Sequence, residues 1–288
     1  MVGPTAKREM VRYAIKNHAY SVQRSCRLVN IQRSSYYYNS CSKDDSRERK
    51  RLRELAQKRR RWGYRRLMVL LAREGLEMNH KRVERLYREE GLQIRQRRKK
   101  KTYKWRGESK PEPSGPNERW SIDFMHDRLV GGKRMRTLNI VDDFTRECLW
   151  IEVNPSLTGQ HVKRVLDFLV HLKGKPLAIV SDNGPEFSGH VIDQWAYENQ
   201  IYWHFIQPGK PTQNAFVESF NGKFRDECLA DHWFSDIHEA RRVIEDWRHD
   251  YNQVRPHSAL NNQTPSEFAQ NFRPTPMGVD YLREVVNT

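Results

Sequence analysis

The sequence contains no apolar run approaching ~18 residues, so no membrane-spanning helix is expected. Its opening stretch, MVGPTAKREMVRY, lacks the apolar core and small-residue cleavage site of a secretory signal. Cysteine is scarce. Cys26, Cys41, Cys148 and Cys228 lie far apart, with no C-x-x-C pair and no close histidine partner. This argues against a disulfide scaffold or a zinc finger and points to a reducing cytoplasm. Acidic residues are thin in the first third: residues 1–106 hold 32 Lys and Arg against 10 Asp and Glu. Residues 107–288 hold 20 against 26, so the net charge of +16 comes from one end of the chain. A basic arm on a mildly acidic body suits a polyanion partner, and the charge falls on helical patterns rather than in a featureless tail.

What the first third does contain is helical punctuation. Met10, Ala14 and Ile15 form one stripe, Ser21 is placed to cap a second helix carrying Val22, Cys26 and Val29, and RSSYYY begins a third. Two helices, a tight turn and a helix opening on small polar and aromatic residues form a helix-turn-helix layout over 1–44. In it Arg33, Ser34, Ser35 and Tyr36 would face double-stranded DNA; a plain three-helix bundle gives the same pattern. A second helical module with a basic connector is expected over 45–106. There Leu67, Leu70, Leu71, Val83, Leu86 and Tyr87 recur at core spacing, and Asn79 stands as a cap. Lys81, Arg82 and Arg85 occupy other positions on its second helix, facing either DNA or solvent. Residues 107–118, rich in Pro, Gly and Ser, read as a linker.

From 119 the grammar changes to mixed strand and helix. RWSIDFM, MRTLNIVDDF and ECLWIEV read as three strands close enough to form an antiparallel meander. GQHVKRVLDFLVHL is an amphipathic helix, PLAIVSD a strand apolar on both faces, HVIDQWAYENQ a helix and IYWHFI a strand. Further helices start near Thr212 and centre on IHEARRVIEDWRHDYN. The order predicts an α/β domain over 119–270, a mixed five-stranded sheet flanked by helices, with a tail at 271–288.

Three acids sit in unusual places. Asp123 lies inside an apolar strand, Asp182 directly after another, and Glu218 on the helix that follows the last strand, beside its apolar stripe. An unpaired carboxylate next to buried strand surface is costly to desolvate, and three converging carboxylates repel unless cations lie between them. Magnesium or manganese, hard ions that take carboxylate oxygen, would neutralise them. Two such ions ~4 Å apart can activate a hydroxyl and stabilise the leaving oxygen of a phosphodiester. The bland alternative is three acids in unrelated salt bridges. Lys210, Asn221, Lys223 and Arg225 could contact phosphate or simply be solvated. Asp142 and Asp143 are expected to fix a turn, and Arg255 and His257 to be structural or DNA-contacting.

The string WSIDFM…VDDFTRE…SDNGPEF…QPGKPTQNAFVESFNGKFRDECL…DYNQVRPHSALNNQTPSEF resembles the DDE transposases of bacterial insertion sequences, in the IS-three family, specifically the OrfB product. Between Asp182 and Glu218 lie 35 residues, the separation shared by that family and the retroviral integrases. The resemblance implies a ribonuclease-H-like integrase core preceded by helix-turn-helix modules. It implies a catalytic and metal-binding triad of Asp123, Asp182 and Glu218 with two Mg2+ or Mn2+ ions. It further implies transposition by strand cleavage and 3′-OH strand transfer at element ends, a homo-multimer on element and target DNA, an upstream-frame OrfA partner or fusion, and a bacterial cytoplasm at the nucleoid. A nuclease that only hydrolyses and a repressor with a silent core are the alternatives.

Overall fold

The computed structural model describes residues 3–38, 44–94, 112–207 and 214–272. They divide into two compact units, 1–49 and 50–288. The first holds α1 (Pro4–His18), α2 (Val22–Leu28) and α3 (Arg33–Tyr37). The Ser21 hydroxyl caps α2 by accepting from Arg24 N, as its position suggested. α1 holds the other two helices in place through Lys7 Nζ to the Asn30 carbonyl and Arg8 Nε to the Ser35 carbonyl, at 2.9 and 2.8 Å. Val11 and Cys26 form its small buried centre.

α4 (Ser46–Lys58) carries the boundary between the units, and α5 (Tyr64–Arg73) and α6 (His80–Glu89) follow it. Leu52, Leu55, Trp62, Leu67, Leu71, Val83, Leu86 and Tyr87 close a core between these helices. Asn79 accepts from Lys81 N and caps α6, as expected. This helical module, expected at 45–106, shares one compact unit with the sheet. Arg59 grips Asp250, Trp62 Nε1 donates to Glu227 at 3.2 Å, and Arg73 reaches Glu267 at 2.7 Å. The basic connector from 95 and the linker up to 111 lie outside the described residues.

The sheet contains β1 (Arg119–Arg128), β2 (Arg134–Asp142), β3 (Cys148–Asn154), β4 (Ala178–Ser181) and β5 (Tyr202–Phe205) in the order β3-β2-β1-β4-β5. The first three form the expected antiparallel meander; β4 joins β1, and β5 joins β4, in parallel. Parallel strands need a crossover, supplied here by α7 (Gly159–Lys173) before β4 and α8 (His190–Asn199) before β5. Alternation along β1 sorts the two faces. Trp120 and Ile122 pack with α7 and α8; Met125 packs with α9 (Ala215–Glu227) and α10 (Ile237–Gln253). α11 (Pro265–Asn271) closes the domain with a Thr264–Glu267 capping box.

The β2–β3 register slips between Ile140 and Val141, leaving Leu149 as the extra residue. Asn252 of α10 replaces the lost ladder bonds, since its amide accepts from Cys148 N and donates to the Cys148 carbonyl, both at 2.9 Å. Removing a buried amide that satisfies two backbone groups costs about 1–3 kcal/mol. Asn252→Ala should therefore lower unfolding free energy by that amount in urea titrations, and an unchanged midpoint would refute this clamp.

Candidate active site

Asp123 sits mid-strand on the α9 side of β1, in the series Ser121, Asp123, Met125. Trp120 pairs with Ile179 and Ser121 with Val180; continuing that register past the ladder brings Asp182 level with Asp123. Asp182 opens a tight turn. Its Oδ1 accepts from Gly184 N at 3.1 Å, and Phe187 N and Ser188 N both return to the Gly184 carbonyl. A Cβ at Gly184 would stand 3.1 Å from Asp182 Oδ1 and 3.4 Å from Glu186 Oε2, so a larger residue there would crowd both carboxylates. Glu186 is itself held at 2.6 Å by Arg136 Nη1 of β2, two strands away in the sheet.

Glu218 lies in the first turn of α9 and is exposed. Two amides fasten α9 to β1 on either side of Asp123. Asn214 Nδ2 donates to the Ile122 carbonyl at 3.3 Å, and Asn221 Nδ2 donates to Asp123 Oδ2 at 2.7 Å. Asn221 Oδ1 in turn accepts from Asn139 Nδ2 at 2.7 Å. Asn139 is fully buried on β2, directly across the ladder from Asp123. The chain Asn139–Asn221–Asp123 thus fixes one carboxylate oxygen, while Phe124 N donates to the other at 2.8 Å.

Burial pushes the Asp123 carboxyl up to about 6, helped next by the charge of Asp182 and more weakly by Glu218, against the pull of the Phe124 and Asn221 hydrogen bonds. Glu218, although its side chain reaches solvent, is raised as well by partial desolvation of its carboxyl. Asp123 therefore feels the charge of both other sequence-predicted acids across one end of the sheet. As the side chains stand, no three His, Cys, Asp or Glu among the described residues lie close enough to grip a metal ion. The donor chemistry nonetheless fits a hard divalent cation: three carboxylates, one of them held ionised only against its neighbours' charge.

The other expected residues separate by location. Asn221 is buried, with both ends of its amide engaged, so it supports Asp123 rather than contacting phosphate. Lys223 is half-buried and donates to Ser219 at 2.8 Å, on a different side of α9 from Glu218. Arg225 is exposed on the Glu218 side, and Lys210 lies outside the described residues. Arg33 and Ser34 are exposed on α3, whereas Ser35 and Tyr36 are half-buried. Lys81 is exposed, Arg82 half-buried, and Arg85 exposed beside Glu89 at 3.0 Å. Such an exposed i,i+4 pair is worth only about 0.3–0.5 kcal/mol. Asp142 does fix a turn, accepting from Asn117 N, Phe144 N and Thr145 N. Arg255 is structural, clasping Glu227 through Nε and Nη2 at 2.8 and 2.6 Å. Sequence reading passed over Asn139; its signal is one amide inside the otherwise apolar run LNIV, opposite an acid.

Comparison with known proteins agrees with this architecture. The Integrase core domain family matches residues 113–211 and, in a second description, 199–265; the HTH-like domain family matches 43–100. A 31.7 kDa protein of insertion element IS407 from Burkholderia multivorans is 50% identical over 268 residues, covering 92% of this chain and 96% of the relative. InsK of Escherichia coli K12, the candidate transposase of insertion sequence element IS150, is 28% identical over 86% of this chain and 93% of its own. Among solved structures, the simian T-cell lymphotropic virus intasome in complex with the PP2A regulatory subunit B56 gamma shares the fold. It matches at 15% identity and TM-score 0.52, over 80% of this chain and 78% of that one.

In the metal-free chain, the raised Asp123 value means that the folded state binds more protons than the unfolded state from about pH 4 to 6. This group's contribution to stability therefore falls as pH rises through that window. Asp182→Asn should move the Asp123 midpoint down from about 6 in a carboxyl NMR titration. A midpoint that stays put would show that the two carboxylates do not interact.

Proposed function

This chain belongs to the DDE transposases of bacterial insertion sequences, in the IS-three family, and on that premise we propose that it cuts and joins DNA at the ends of its element with Asp123, Asp182 and Glu218 as the catalytic carboxylates. The observation that supports this reading is that Asp123 on β1 feels the charges of Asp182, in the turn after β4, and of Glu218 on α9. Those three would hold two magnesium or manganese ions. When bound, the ions supply Lewis acidity and offset the negative charge that builds on a phosphodiester under attack.

The chain's own part is positional. Asn221 and Phe124 N hold the two oxygens of Asp123, and the Gly184 turn holds Asp182. Glu218, exposed at the start of a helix that is pinned to β1, is the member free to close as DNA arrives. In the first step water attacks phosphorus at an element end, the bond to the 3′-oxygen breaks, and that oxygen leaves as a 3′-hydroxyl. In the second, the hydroxyl attacks another phosphodiester and displaces its 3′-oxygen, so one bond forms as one breaks and no covalent protein adduct is needed. Exposed Arg225, on the Glu218 side of α9, would meet backbone phosphate near the cut. The helical modules would bind the element's terminal repeats through Arg33, Ser34, Lys81 and Arg85. Two ends must meet, so the working form is a multimer on DNA, together with the upstream-frame product.

Incubating the purified chain with labelled element ends and magnesium should give both nicked and joined products. Asp182→Asn or Glu218→Gln should abolish both, at least a thousandfold, while duplex affinity stays within about twofold. Nicking without joining would identify a hydrolytic nuclease. Binding without any magnesium-dependent cut would identify a repressor, and a large affinity loss in the variants would make these acids structural.

A further inference from the structure

A second charged centre lies further along the Glu218 helix. Glu227, at the last residue of α9, accepts from Arg255 Nε and Nη2, from Trp62 Nε1 at 3.2 Å, and faces Arg66 Nη1 at 3.7 Å. Arg255 is almost fully buried, with 2% of its side chain exposed. Lys223 stands one turn earlier on α9 and feels the charges of Arg255, Glu227, Arg66 and Arg146. Arg255, Arg66 and Lys223 thus meet at one carboxylate, and Arg146 adds a fourth positive charge that Lys223 feels. They come from four places: Arg66 from α5, Arg146 from the turn between β2 and β3, Lys223 from α9, and Arg255 from the segment after α10. Arg146 feels two further acids, Asp143, which is engaged by Arg119, and Glu112.

Such a surplus is unfavourable in a partly desolvated space, and the groups themselves register it. Burial, with help from Arg255, brings Lys223 down to about 8. Arg66 is lowered by burial and by Arg255. Two polar atoms on the wall have no hydrogen-bond partner among the described residues: buried Arg146 Nη1, and Nε2 of His257, whose side chain feels Arg255, Lys223 and Arg66. Arg66 keeps 35% of its side chain exposed, so the cluster can be reached from solvent at Arg66. Surplus cations and an unpartnered guanidinium nitrogen on Arg146 together describe a receptor for an anion with several oxygens.

We propose that Arg66, Arg146 and Lys223, backed by Arg255, form an oxyanion site that takes one phosphate group, in the working complex a phosphodiester of the bound DNA. The DNA assignment rests on the function proposed above; the site itself does not. Its consequence is that one phosphate would be held jointly by the HTH-like module and the catalytic helix, setting where the duplex enters relative to Glu218.

The test uses the full-length chain with Lys223→Met and, because it comes from another element and is partly exposed, Arg66→Gln. Inorganic phosphate, titrated against chloride at constant ionic strength, should raise the thermal midpoint of the parent chain in a saturable way, and both variants should lose that gain. With duplex DNA, each variant should lower the slope of log affinity against log salt by about 0.9, the loss of one phosphate contact. A parent chain with no phosphate-specific gain overturns the site, as does a gain that both folded variants retain. Loss of the phosphate gain with an unchanged DNA slope assigns the site to free phosphate and overturns the backbone assignment. A parent chain that does not bind duplex at all defeats the DNA reading separately, and the phosphate titration still decides the site.

Discussion

The repulsion between carboxylates at one end of the sheet is the constraint to which the rest of the domain answers. Asp123 is expensive where it stands, because burial and two neighbouring acids all favour its neutral form. An isolated strand would relieve that by twisting the side chain into water. Here the amides of Asn214 and Asn221 tie α9 to β1 above and below the acid, and Asn139 fixes Asn221 from the far strand. The fold therefore holds together charges that would separate if left alone, and on the function proposed above divalent cations would offset them.

The same helix serves both ends of this arrangement. Its first turn offers Glu218, its middle supports Asp123, and its last residue, Glu227, is clasped by Arg255 and met by Trp62 and Arg66 of the helical module. Breaking one partner of a buried ion pair leaves an uncompensated charge, typically a loss of about 3–5 kcal/mol, so this junction is firm. Arg59 with Asp250 and Arg73 with Glu267 repeat the connection along α10 and α11. The module is thus joined to the catalytic sheet by side chains and not only by the connector between them.

Much of this was legible from residue order. Period-two alternation in WSIDFM located β1 and identified which side carries Asp123, and the apolar run LAIVS followed by DNG located Asp182 at a strand end. What the sequence hid was orientation around α9. At 100° per residue Asn221 and Arg225 lie within about 60° of Glu218, whereas Lys223 is turned about 140° away. Asn221 also sits on the flank nearest the apolar stripe of Val217, Phe220 and Phe224, so it is drawn inward to Asp123. Asn139 was invisible as a partner because the cross-strand register, not local sequence, sets it opposite the acid.

α9 can also be regarded as a lever. Glu227 lies nine positions beyond Glu218, a rise of about 13.5 Å at 1.5 Å per residue. A tilt of about 10° about the Glu227 end would sweep the other end sideways by about 2 Å, most of a carboxylate's reach to a cation. Small strains at the far fulcrum would therefore be magnified at Glu218, and if the proposed function holds, a loosened anchor would idle the catalyst while leaving its carboxylates untouched.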